Sequence, residues 1–401
     1  MKVVHLVTNY GGAYKAAKRI SKALENSLDS EVITLGEIKY SFIKKIKNYI
    51  IYTMTRILCL KIYKSKYCTN ADNISVSLLK VKKIQEADII HLHWVTGGML
   101  SNRYLKKIID SNKVIVWTFH DMHPFTGVCH YSDGCIKYTN ECGQCKQICS
   151  KKEKDYATKV QREKRIALQN ADLIGVGCSS WITECAKSST IMQNKKMYTI
   201  HNCIDTMIFH PYSMNKSRDI LGIKCDKRII AFGAMDTTDS RKGYKYLKAV
   251  IERLNSNMYS CLFFGKGEEI TNLESFSMGY VSSEKTMAMI YSAANVFVAP
   301  SLEENLANTV LEALACGTPV VAFDIGGMSD LIEHKKNGYL AKPYEVLDLM
   351  KGIDFCCKNR QELSKYAREK VEIEFNEMKI GKNYFQLYKN ALQLKKRRNI
   401  E

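Results

Sequence analysis

The stretch SLEENLANTVLEALACGTPVVAFD, residues 301–324, decides how this chain is read. It predicts a loop, a helix of about two turns over TVLEALAC capped by Asn308 and closed by Gly317, and a strand over TPVVAFD. Val310, Leu311, Ala313, Leu314 and Ala315 leave that helix apolar almost all round, so it is expected to be buried. Glu312 interrupts the apolar run, and a buried carboxylate is costly unless something pairs with it. Two partners would serve: the adjacent hydroxyls of a ribose, or backbone amides of a neighbouring loop. Glu304 stands eight positions earlier, in the loop, where it can reach a sugar.

Outward from this stretch, short apolar runs alternate with amphipathic helical stretches. The runs are KVVHLVT, DIIHLHW, KVIVWTF and DLIGVGC, then RIIAFGA, SCLFFG, NVFVAP and PVVAFDI. Runs that are apolar throughout belong to strands buried on both faces, hence to parallel, helix-covered sheets. The series occurs twice. An α/β protein of two doubly wound Rossmann-like domains facing each other across a cleft is predicted, with ligands at the carboxyl ends of the strands. The expected division is 1–205 and 206–379, with a last amphipathic helix at about 380–401 packing back on the first domain.

Composition bounds the function. The 401 residues are 46% hydrophobic and 25% charged, as in a soluble globular protein, and the net charge of +19 calls for an acidic partner. The basic residues are spread along the chain with no recognised binding motif, which argues against nucleic acid. The N-terminus reads as a first strand rather than a signal peptide, and no apolar run is long enough to span a bilayer, so a cytoplasmic protein is expected. Residues 41–67 interleave seven basic residues with bulky apolar ones. That pattern suits a helix lying on an anionic membrane, and it suits equally a helix packed on the first domain.

Several residues are candidates for chemistry. Gly11 and Gly12 precede a helix whose N-terminus could cradle a phosphate, although a bare Gly-Gly is also an ordinary tight turn. Arg241 and Lys242 lie between a buried strand and a helix, where they could grip a diphosphate or form a solvated turn. His120 follows the strand VIVWTF, at a strand end that either faces ligand or is simply capped by the histidine. Fifteen cysteines include Cys129, Cys135, Cys142, Cys145 and Cys149 within one loop segment. Four of them, Cys129, Cys135, Cys142 and Cys145, could hold a structural zinc or remain reduced thiols.

The segment from Pro300 through NGYLAKP resembles the donor-site signature of family 4 retaining glycosyltransferases, which have the GT-B fold. Glu304 and Glu312 fall on the family's Glu-x7-Glu motif, flanked by ALACGTPVVA. HNCIDTMIFHP is similar to its Asn-Gly-Val-Asp linker and FFGKGEE, with Gly265, to its Gly-x-Gly loop. By resemblance Glu304 contacts the donor hexose and Glu312 the ribose, Lys242 is the phosphate-binding lysine, Gly12 belongs to the N-terminal glycine loop, and His120 is the active-site histidine. The segment from HLHW to CHYSDGC resembles a narrower subgroup that builds exopolysaccharides, capsules and O-antigens. There are departures. Ala234 stands after Gly233 where the family carries an arginine, a charge that Arg241 is expected to supply. Asn305, Leu306 and Ala307 replace Gly-Phe-Gly beside the hexose.

The resemblance implies transfer of a hexose from a UDP- or GDP-sugar to a saccharide or lipid-linked acceptor, with retention. No catalytic metal is expected, because the sequence has no Asp-x-Asp triplet and the cations and helix N-termini can stabilise the leaving diphosphate. Two other readings are a GT-B sugar-nucleotide binding subunit without turnover, and a GT-B epimerase or hydrolase.

Overall fold

The structure, a computed structural model, describes residues 1–9, 11–38, 78–97, 99–236, 239–266 and 273–398, with a few positions between 46 and 57. The candidate membrane-facing stretch 41–67 lies largely outside the described residues, as does the second glycine of FFGKG.

Two compact units are present: Met1–His201 with Ile380–Glu401, and Asn202–Lys379. The first is built on a six-stranded sheet ordered β2-β1-β3-β4-β5-β6. Its strands are β1 (Lys2–Val7), β2 (Asp29–Thr34), β3 (Ile89–Leu92), β4 (Val114–Phe119), β5 (Leu173–Gly177) and β6 (Lys196–Thr199). The second unit carries β7 (Arg228–Asp236), β8 (Tyr259–Lys266), β9 (Ser275–Ser277), β10 (Val296–Ala299), β11 (Val320–Phe323) and β12 (Gly338–Ala341), in the order β12-β11-β10-β7-β8-β9. Every pairing is parallel, as the uniformly apolar runs required. Val3, Val4, Leu6, Ile90, Val116 and Val176 fill the first sheet, and Ile229, Ala231, Leu262, Val298 and Val321 the second, all essentially inaccessible to solvent.

Each sheet reverses its winding once. In the first, the chain steps outward from β1 to β2 and then from β3 to β6, so the reversal lies between β1 and β3. In the second it lies between β7 and β10. Such switch points open a crevice at the carboxyl ends of the two strands, because their outgoing connections part to opposite sides. The residues after β7 and β10 therefore decide what the second unit can hold, and those after β1, β3 and β4 play that part in the first.

The last helix, Glu377–Arg398, belongs to the first unit from Ile380 onward. Its Tyr384 and Tyr388 are fully buried and hydrogen-bonded to Thr118 and His91.

Candidate active site

In the second unit β7 is followed by a short turn, Ser240–Lys242, and β10 by the loop 300–307. Asp239 caps the turn by accepting the Arg241 amide, and Gly243 leaves it at φ +69°. The two segments are fastened together: Leu302 N–H donates to the Arg241 carbonyl at 2.7 Å. A side chain on Gly243 would strike the Pro300 carbonyl, and one on Gly326 would strike the carbonyl of Glu304. Both glycines also lie in the left-handed region, so close approach and backbone conformation each demand them.

This packing sets three charged side chains against one another. Lys242 Nζ lies 2.6 Å from Glu304 Oε2, and Arg241 Nη1 lies 3.4 Å from the same oxygen. Arg241 also donates to the Glu303 carbonyl at 3.0 Å and pairs with Asp239. Glu304 is 6% exposed. Burial works against its ionisation, but the charges of Lys242 and Arg241 outweigh it and hold the carboxyl down at about 2. The two cations are each about a quarter exposed, so they combine a fixed carboxylate partner with a face open to solvent. Asn305, Leu306 and Ala307 are buried behind Glu304, and the Asn305 amide donates to its other oxygen.

Glu312 lies in the helix Asn308–Ala315 and is 4% exposed. Its Oε2 accepts the Tyr291 phenol at 3.1 Å, a partner that the sequence did not suggest. The expected cap is corrected as well. Ala307 occupies the cap position without a side-chain bond, and Asn308 is the first helical residue, its Oδ1 accepting from Asn202. Gly317, at φ +67°, follows the helix end at Cys316. Gly233 lies on β7 against the Phe264 ring, and Gly265, at φ +99°, lies near the end of β8.

In the first unit Gly11, at φ +82°, and Gly12 open the helix Gly11–Leu24 directly after β1. His120 follows β4 and is joined to His93, which follows β3, with Nε2 and Nδ1 3.0 Å apart. Next to it, Asp121 accepts Trp94 Nε1–H at 2.7 Å, His130 Nδ1 at 2.6 Å and the His123 amide at 2.9 Å. Burial would raise the Asp121 carboxyl, but His130 and His123 hold it at about 2. Burial also takes His120 down to about 4, against the pull of Asp121. Neither His93 nor Trp94 was singled out from the sequence, although the alternation in HLHW marks both as unusual for a buried run.

Of the loop cysteines, Cys129, Cys135, Cys142 and Cys145 line one cavity of about 20 Å³. Cys129 and Cys145 share a thiol hydrogen bond, and the amides of Gln147 and Ile148 also donate to Cys145, lowering it to about 7. Burial pushes Cys142 up to about 11, opposed by the Gly127 amide. Helix Tyr156–Leu168 braces this lobe: Gln161 accepts the Cys142 amide, Thr158 donates to its carbonyl, and Lys164 donates to the carbonyls of His123, Thr126 and Gly127.

Comparison with known proteins bears on the second unit most directly. Residues 226–359, which contain the Lys242–Glu304 cluster and Glu312, match the family model Glycosyl transferases group 1. An uncharacterized glycosyltransferase of Methanocaldococcus jannaschii is 26% identical over 338 residues, covering 76% of this chain and 84% of that protein. An uncharacterized glycosyltransferase of Haemophilus influenzae is 27% identical over 193 residues, 45% of this chain, and the match spans about half of that protein, 52%. Among solved structures, Anabaena HepE in complex with UDP-glucose superposes with a TM-score of 0.65 over 97% of this chain and 100% of that one, at 15% identity. With its two parallel six-stranded sheets the chain has the GT-B fold, and its second unit carries, over residues 226–359, a segment that matches the group 1 glycosyltransferases.

Proposed function

We propose that this protein transfers a hexose, with retention, from a UDP- or GDP-sugar to a saccharide or lipid-linked acceptor in the assembly of a surface polysaccharide. The observation that carries the reading is the convergence of Lys242, Arg241 and Glu304 at the switch point of the second sheet. A diphosphate needs fixed cations, and a hexose needs a hydroxyl acceptor held beside them. Here one carboxylate orients both cations before any ligand arrives, so their charge is already aimed when a leaving diphosphate develops. Glu312, with Tyr291 on one oxygen, is assigned to the ribose hydroxyls. Gly11, Gly12, Gly233 and Gly265 are assigned to backbone approach, and His120 to the sugar. HepE, a neighbour in fold, is described with UDP-glucose, which favours the uridine donor.

The four cysteines form a separate structural element in this reading. They line one small cavity and two amides donate to the sulfur of Cys145, but among the described residues it is His5, His91 and His93, not these thiols, that stand at metal spacing, so the sulfurs would have to draw together around a zinc ion. Cys129, Cys135, Cys142 and Cys145 would hold it, and its contribution would be to the stability of the loop. Among the described residues no helix is long and apolar enough to cross a membrane.

The test of the function is nucleotide release by purified protein given a panel of UDP- and GDP-sugars, with and without saccharide or lipid-linked acceptors. Release that depends on acceptor supports transfer. Release without acceptor points to hydrolysis, and donor binding without release to a subunit that has lost turnover; either result overturns the reading.

A further inference from the structure

His120 is the end of a file of hydrogen-bonded side chains that runs through the first unit. Ser21 Oγ lies 2.8 Å from Ser30 Oγ, and Ser30 Oγ lies 3.2 Å from His5 Nε2. His5 Nδ1 lies 3.0 Å from His93 Nε2, and His93 Nδ1 lies 3.0 Å from His120 Nε2. The sheet produces this file. β1 lies beside both β2 and β3, so Ser30, His5 and His93 come from three adjacent strands or their ends, and His120 follows the next strand, β4. His5 and His93 are almost wholly inaccessible, the rings of His93 and His120 stack at 5.3 Å, and His120 alone of the three is partly exposed. Its Nδ1 makes no hydrogen bond to any described residue.

We propose that His93 and His5 are positioning residues that fix which ring nitrogen of His120 carries its proton. A neutral imidazole has one N–H and one lone pair, and each nitrogen–nitrogen contact holds a single proton. The three rings must therefore be ordered alike. If His5 donates from Nδ1, His93 must donate from Nδ1, and His120 presents Nδ1–H outward. If His120 donates from Nε2, the order reverses along the file to Ser30, and His120 presents a bare Nδ1. Burial without a facing carboxylate keeps His5 and His93 neutral, so the choice is between tautomers and not charge states. Asp121 is the acidic neighbour of His120, and its oxygens are already taken up by Trp94, His130 and His123. When a proton leaves His120 Nδ1, each ring passes one proton along and the serine pair takes one from solvent, so the file ends with no net charge. The inference rests on the reading of His120 as a sugar-facing residue, where it would decide whether the enzyme donates to or accepts from a substrate hydroxyl.

His5, His91 and His93 also bring ring nitrogens within 4.8 Å of one another, the spacing of a metal site. Both nitrogens of His91, however, already have partners, Tyr388 at 2.6 Å and Thr118 at 2.8 Å. His5 and His93 are likewise engaged at both nitrogens, with each other and with Ser30 and His120, so a shared metal would have to break a hydrogen bond at every ring.

Long-range proton–nitrogen NMR of the full chain labelled with 15N-histidine reads the tautomers directly, without substrate. The expected result is one common tautomer for His5, His93 and His120, and a shift in His120 on Ser30→Ala, which lies three hydrogen bonds away. A different tautomer at His93, an unmoved His120 in Ser30→Ala, or stoichiometric metal that is lost in His91→Asn overturns the proposal. In kinetics, His93→Asn, whose amide replaces Nδ1, should keep kcat within about threefold, whereas His93→Phe should lose on the order of tenfold or more at nearly unchanged donor KM. Equal losses in the two variants would reduce His93 to packing. A common tautomer in a protein without transferase activity would leave the file standing and sink the functional reading instead.

Discussion

The Lys242 ammonium lies 2.6 Å from a carboxylate oxygen of Glu304, inside a loop that leaves Glu304 only 6% exposed. Glu304 thus stays ionised at any working pH, and Lys242 is held in one direction. Replacing Glu304 by Gln removes the charge but keeps the shape. The expected outcome is a loss of kcat on the order of a hundredfold with unchanged circular dichroism. Lys242→Met should instead raise the donor KM and leave Arg241 as the cation beside Glu304, whose carboxyl shifts upward. Wild-type kinetics in either variant would remove the cluster from the mechanism.

Tyr291→Phe deletes the phenol that donates to Glu312 and leaves the helix otherwise intact. Losing one donor to a buried carboxylate costs about 1–3 kcal/mol, read as a lower melting temperature. Nucleotide affinity, measured by calorimetry, should weaken in parallel, because Glu312 is then freer to rotate. A variant with lower stability but unchanged nucleotide affinity would separate Glu312 from the ribose.

Gly326→Ala places a methyl group against the Glu304 carbonyl in a left-handed conformation at φ +54°. The conformation alone costs about 1–2 kcal/mol, and the collision displaces the loop that carries Glu304. Donor turnover should fall even at temperatures where the variant is fully folded. Gly222, also left-handed but with open space around it, provides the control: Gly222→Ala should be destabilised without a specific loss of turnover.

Acid should destabilise the protein earlier than carboxylates alone would require. His5 is lowered to about 3 and His120 to about 4, and His91 and His93 fall well below 6.5, in each case mainly through burial. Their unfolded counterparts bind protons near 6.5, so the stability these groups contribute is full above that pH and is lost as pH falls toward 4 and 3. Glu304 and Asp121, each held at about 2, add a second loss below about 4. Scanning calorimetry should show the first decline between pH 7 and 5; a melting temperature that stays flat over that interval contradicts the assignment.

Elemental analysis of protein purified without chelator should find about one zinc per chain. Cys142→Ser should lose it and unfold at a lower temperature, whereas Cys149→Ser, outside the cavity lining, should keep it. Metal-free wild-type protein of full stability rules the zinc out.

Eight of the twelve strands among the described residues were legible as apolar runs. The other four, β2, β6, β9 and β12, are the edges of the two sheets. An edge strand is covered on fewer sides, so its residues need not be apolar: β6 is KMYT, largely exposed, and β9 is SFS. Glu312 could be read because it interrupts an apolar run, and Glu304 and Lys242 because they stand in loops at positions that resemble the family's motif. His5 and His93 could not, since they sit inside runs that otherwise look like core and meet only through strand register. Tyr291 was hidden for a similar reason, as one more apolar-looking residue on a buried helix face. Asn308 misled because a good capping residue one position inside a helix looks the same in sequence as one at the cap.

The same four edge strands have a colloidal consequence. A long, flat, apolar edge invites a second chain to pair with its unused amides and carbonyls. Here the outer strands are three to six residues long, and lysine, serine, threonine and acidic side chains interrupt three of them. The edges of both sheets, among the described residues, are thus poor templates for intermolecular pairing.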